Sequence, residues 1–116
     1  MKKKLNSYND GVLGIYAEKS TLMNTDFNAK TNARTVNDYD FVMWLFYDEL
    51  NKRDEDFIFA EAMGKKLTMK IKTPLVNGVE TKHKVIISNQ VYDIIKIDPD
   101  RAKRELYIYL EGGRQL

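Results

Sequence analysis

The sequence contains no cysteine, one histidine and two prolines in 116 residues. Without cysteine there is neither a disulfide nor a thiol nucleophile. With a single histidine as well, the usual sulfur and nitrogen ligand sets of a structural zinc site cannot be assembled. No apolar run approaches the roughly 20 residues of a membrane-spanning helix. The first residues also lack the apolar centre of a signal peptide, so the expectation is a chain that stays in the cytoplasm where it is made, with no membrane partner. Net charge is scarce too: 19 basic and 17 acidic residues leave +2, too little to imply nucleic-acid binding by itself. There is no phosphate loop, no Rossmann glycine pattern and no metal-ligand spacing, so no cofactor and no metal are expected. His83 has no serine or paired carboxylate in a catalytic arrangement and reads as a packed or hydrogen-bonded strand residue. The Asp98-Pro99-Asp100 turn lacks the central glycine and terminal glutamate of a calcium loop. No enzyme is legible in this chain.

What is present describes one globular domain over residues 1–116, with 43% apolar and 31% charged residues and length for a single core. Lys2, Lys3 and Lys4 charge an N-terminal tail, residues 1–10, that reads as flexible. Val12–Ala17 is a first strand that Gly14 can bend or bulge. Residues 18–38 then turn to Ser, Thr, Asn, Asp and Lys without periodicity, a loop longer than compact domains usually carry passively. Such a segment reads either as a surface excursion or as one that orders against a partner. In the second case Asp26, Phe27, Lys30 and Arg34 are the candidate contacts, with Phe27 the anchor.

Phe41–Tyr47 is the densest apolar run. Its aromatic and branched content favours a strand buried on both faces, although periodicity leaves a helix open; Trp44 is expected in the core. Asn51 reads as a helix cap followed by Asp54, Glu55 and Asp56 at the dipole-favoured end, with Phe59, Ala62 and Met63 on the buried face and Gly64 as the stop. In Lys65–Thr73 the alternation puts Leu67, Met69 and Ile71 inward and Lys66, Thr68, Lys70 and Lys72 outward. Pro74–Val79 is a turn built on Asn77-Gly78, a hairpin signal. Leu75, Val76 and Val79 are apolar for a loop tip and, with Asn77, form a second candidate partner contact.

Residues 84–111, KVIISNQVYDIIKIDPDRAKRELYIYLE, hold three apolar segments separated by polar stretches, the pattern of an antiparallel meander. Ser88-Asn89-Gln90 joins the first pair, and Pro99 is expected to break the ladder at the second joint. In the last strand Leu106, Ile108 and Leu110 alternate with Glu105, Tyr107, Tyr109 and Glu111, so one face is core and the other meets solvent or a partner. About six strands and one short helix make a mainly β fold, expected as a small antiparallel β-barrel or sandwich with the helix capping one opening.

The run V-x-x-x-x-x-V-Y-D-I-I-x-I-D-P-D-R-x-x-R-x-L-Y-I-Y-L from Val85 to Leu110 resembles the C-terminal half of the head-tail joining, or head closure, proteins of tailed bacteriophages. Lys66–Thr73 followed by Thr81-Lys82-His83-Lys84-Val85 is similar to the strands that precede it in that family. The first turn departs from the pattern, with Ser88-Asn89-Gln90 where glycine is frequent. The resemblance implies a small β-barrel that forms a ring at the head-tail connector. It closes the portal and its adaptor after DNA packaging and provides the platform on which the tail docks. Implied partners are the portal adaptor or head completion protein and the tail terminator or tail proteins. DNA would pass through the ring without specific binding, and the free chain would be a monomer. Implied locations are the host bacterial cytoplasm during assembly and then the virion. The alternative reading is a small oligonucleotide-binding barrel that tracks single-stranded nucleic acid with the lysine row, Tyr107 and Tyr109.

Overall fold

The computed structural model describes residues 8–19 and 38–115. Among these residues six antiparallel strands run in chain order as β1 (Gly11–Glu18), β2 (Tyr39–Leu50), β3 (Leu67–Pro74), β4 (Lys84–Ile87), β5 (Gln90–Asp100) and β6 (Glu105–Gln115), with one helix, α1 (Asp54–Ala62), between β2 and β3. The strands close in the order β1-β2-β3-β6-β5-β4, so the fold is a barrel, the closed form of the two expected. Closure pairs the sheet edges that a flat meander would leave open. It also leaves each strand only one interior face. Leu13, Ile15, Leu45, Tyr47, Ile71, Val85, Ile87, Tyr92, Ile94, Leu106, Ile108 and Leu110 fill that interior.

Local chemistry explains how the strands are joined. Ser88 and Asn89 both adopt left-handed φ, 49° and 65°, and Ile87 pairs with Gln90. The joint is therefore a tight two-residue turn of the kind that matches strand twist. Pro99 does not break the ladder as expected, for it pairs with Leu106 inside β5. Beyond Asp93 the strand has no β4 residue beside it, and a strand laddered on one side tolerates a residue without a donor. The Asn77-Gly78 turn is not a hairpin. It lies in the connector from β3 to β4, strands on opposite sides of the barrel, and Gly78 takes a positive φ of 98° there.

The helix corrects three expectations. Its cap position is Arg53, not Asn51, and its third residue is Asp56, whose carboxylate accepts the Arg53 N–H at 2.9 Å. Asp56 and Ala60 are its buried residues, while Ala62 and Met63 are exposed. The face is rotated from the expected one because Asp56 turns toward the sheet and accepts a hydrogen bond from Lys70 at 3.1 Å. Finally, the helix does not cap an opening. It lies on the outer wall, where Ala60 packs with Leu67, Ile95 and Tyr109, flanked by Phe59 and Tyr107. Leu67, expected inward, joins this outer cluster because a register shift between Leu67 and Met69 breaks the alternation. A second shift between Ile94 and Lys96 frees Ile95 to do the same.

Candidate interaction surface

Among the described residues, nothing of the kind covers the wall opposite the helix. β1 and β2 pair along their length, with Val12 facing Phe46 and Gly14 facing Trp44. After Ile15 and Met43 the register shifts so that Tyr16 faces Phe41. The unmatched residue, Val42, is a bulge. That single extra residue resets the phase of β2, putting Phe41 on the same outer surface as Trp44 and Phe46. The result is an aromatic row. Phe41 and Trp44 rings lie 4.9 Å apart between centroids, and Tyr16 meets Phe41 edge-on at 5.5 Å.

This row is exposed: Trp44 keeps 64% and Phe46 61% of their surface, and Val12, Phe41 and Val42 are exposed beside them. Gly14 has a specific role, since a Cβ there would overlap the Tyr16 ring. Glycine lets Tyr16 lie flat along β1 and reach Phe41. Placing Trp44 in the core is therefore wrong, and the reason is geometric. Met43, Leu45 and Tyr47 supply the inward face, and a barrel strand has no second interior for the alternate residues. The sequence did hold the signal, because an apolar run of seven in a small barrel must leave one face to be covered from outside.

The two strands and their flanks are mostly acidic, and Lys84 of the neighbouring β4 pairs with Glu18 at 3.8 Å. Residues 8–19 and 38–50 carry Asp10, Glu18, Asp38, Asp40, Asp48 and Glu49 against Lys19 alone. Some of these carboxylates fasten the chain. The Asp48 carboxylate accepts the N–H groups of Asn9 and Asp10 at 2.6 and 3.1 Å, and Asp10 accepts that of Glu49 at 2.6 Å. Residues 8–10, read from the sequence as part of a loose tail, are thus tied to β2.

Of the expected contact residues, Asp26, Phe27, Lys30 and Arg34 lie outside the described residues. Leu75, Val76 and Val79 are half-buried and pack against the barrel's own core, while Asn77 is exposed at the tip. The connector that holds them crosses the barrel's end, and its apolar character is met within the chain.

The lysine row is largely occupied. Lys70 pairs with Asp56 at 3.1 Å and Lys72 with Glu105 at 3.5 Å, and Lys96 stands 4.5 Å over the Phe59 ring. Burial of Asp56 would raise its carboxyl pKa, but the Arg53 N–H and Lys70 outweigh it and hold the pKa below the ordinary carboxylate value. Glu105 is almost fully buried and accepts hydrogen bonds from the Tyr8 and Tyr107 hydroxyls at 3.0 and 3.1 Å. Burial, together with that carboxylate, pushes the Tyr8 pKa up to about 12. Tyr109 is buried under α1, and so is no platform for a base. His83 is buried, with its Nδ1 accepting the Glu80 N–H at 3.0 Å. Among the described residues no group of acidic or histidine side chains could hold a metal ion, and no helix is long and apolar enough to cross a membrane.

Fold and surface together define a class: a six-stranded closed antiparallel barrel with one wall sealed by its own helix and the opposite wall aromatic and, among the described residues, bare. Compared with models of known protein families and with curated proteins, the sequence matches none.

Proposed function

We propose that this chain is a structural head-tail joining protein of a tailed bacteriophage. In that reading it sits as a ring below the portal adaptor or head completion protein, closes the connector after DNA packaging and receives the tail terminator or tail proteins. It would be made in the host cytoplasm as a monomer and end in the virion. The observation that carries an assembly role is the bare aromatic wall of β1 and β2. Large exposed apolar surface rimmed by polar groups is characteristic of surfaces that meet other proteins, and Trp and Tyr dominate the energetics of such contacts. The resemblance of residues 66–111 to the head-tail joining family directs that general reading to the connector. A rigid closed barrel suits a ring subunit, whose work is to hold position and not to perform chemistry. Single-stranded nucleic-acid binding is less well served, because Lys70, Lys72, Lys96 and Tyr109 are already committed inside the fold.

The test is mass in solution by light scattering, alone and with the product of the adjacent upstream head gene. A monomer at micromolar concentration that enters a large ring-like complex in the mixture is the expected result. Indifference to that partner, with salt-sensitive retention on single-stranded DNA, would replace this reading with the oligonucleotide-binding barrel.

A further inference from the structure

The chain between β3 and β4 crosses one end of the barrel. Leu75, Val76 and Val79 pack against the core there, and Gly78 comes so near β2 that a Cβ on it would touch the Met43 side chain. On the β3 side this connector is tied by the Leu75 N–H, which donates to the Arg104 carbonyl at 2.9 Å. On the β4 side it is tied by a turn with two reciprocal hydrogen bonds. The His83 N–H donates to the Glu80 carbonyl at 2.9 Å, and the Glu80 N–H donates to His83 Nδ1 at 3.0 Å. His83 is buried. It shares a face of the chain with Val85 and Ile87, which belong to the core, so its ring turns toward the interior. An imidazole accepts at Nδ1 only while that nitrogen carries no proton, so the turn requires the neutral ring with its hydrogen on Nε2. A proton taken up at Nδ1 sets a donor against the Glu80 donor, and it puts a charge on a ring that faces apolar side chains. We infer that His83 is a proton-operated latch: protonation at Nδ1 breaks its bond with Glu80 and releases the connector, residues 76–80, from the end of the barrel.

Charged groups stand near the ring on each element packed against it. On its own connector Glu80 pairs with Lys82 at 3.6 Å. On the flanking strands Glu18 of β1 and Asp93 of β5 both pair with Lys84, at 3.8 and 2.8 Å. Lys84 follows His83 in the chain and points to the opposite face of β4. The register carried one step beyond Lys84 puts the uncharged Ala17 and Ile94 beside His83. Beyond Ala17 on β2 stands Asp40, which pairs with Ala17 and is exposed. Glu80 and Asp40 are therefore the carboxylates whose titration has to be separated from that of the histidine.

The experiment is nuclear magnetic resonance on the full chain between about pH 7.5 and about pH 5.5, either side of the ordinary imidazole range. At the upper value the nitrogen signals of the ring should place the hydrogen on Nε2. On acidification the residue 80 amide should lose at least about tenfold in hydrogen-exchange protection, the weight of one ordinary hydrogen bond. The methyl signals of Val76 and Val79 should move with it, while the Val85 and Ile86 amides of β4 keep their protection. His83→Asn offers an acceptor near the position of Nδ1 that does not titrate, and should hold the residue 80 amide at both values. Glu80→Gln and Asp40→Asn should respond to acid as wild type does. A hydrogen on Nδ1 at the upper pH overturns the inference, as does protection at residue 80 that acid leaves unchanged, or a loss that disappears with either carboxylate or is shared by the whole of β4. Should His83→Asn fail to fold, the position of the ring hydrogen and the exchange of wild type decide the matter without it.

Discussion

The two walls of this barrel start from the same material and end differently. On β3, β5 and β6 the outward residues Leu67, Ile95 and Tyr109 are covered by α1 and become a second, smaller core. On β1 and β2 the outward residues Val12, Trp44 and Phe46 are at least as apolar and stay in water. The difference lies not in the strands but in what the described residues place over them. An apolar outer wall has structural work when the chain covers it and is available for an interface when it does not.

The sharpest way to break this comparison is to truncate one aromatic residue on each wall. Tyr109→Ala should cost about 3 kcal/mol of stability, because it empties the space beneath the helix; urea unfolding measures it. The helix anchor comes next. Asp56→Asn should cost about 1–3 kcal/mol by removing a charged hydrogen-bond partner of Lys70 and the Arg53 N–H. Its pH signature is specific. The folded pKa of Asp56 is lowered, so its contribution is complete above the ordinary carboxyl value near ~4 and is lost as pH falls through the lowered one. Between those two values wild type should lose stability more steeply than Asp56→Asn, and equal slopes would refute the assignment.

Gly14→Ala probes the other wall. Its Cβ must displace the Tyr16 ring, at about 1 kcal/mol, and this should loosen Phe41 and Trp44 in turn. Because Trp44 is the only tryptophan, its emission reports that change directly. The smallest effect is expected at Trp44 itself. Trp44→Ala should leave unfolding within about 0.5 kcal/mol of wild type, as exposed positions do. A loss comparable to that of Tyr109→Ala would mean that the row is sealed inside the free chain and would remove the basis for an interface.

Much of the fold was legible because strand periodicity is a local property. The alternation of Leu106, Ile108 and Leu110 and the cap-forming Gly64 can be read without knowing any neighbour. The aromatic wall was not legible in this way. Phe41–Tyr47 is apolar at every position, so alternation says nothing about which face is inside, and Trp44 was expected to be buried. The Leu67 position was misread for a related reason: a one-residue register shift reverses a strand's faces, and nothing in the local sequence marks where it falls. Leu75, Val76 and Val79 were recognised as needing cover, but the connector meets that need from its own barrel.

The sequence alone determined a mainly β fold of about six strands and one short helix, because composition and short-range periodicity suffice for that. Only the tertiary structure decided that the sheet closes, that α1 seals an outer wall instead of an end, and that Trp44 faces water. Each of those depends on which strands become neighbours and at what register, and pairing across the barrel is a relation between distant residues that no single stretch contains.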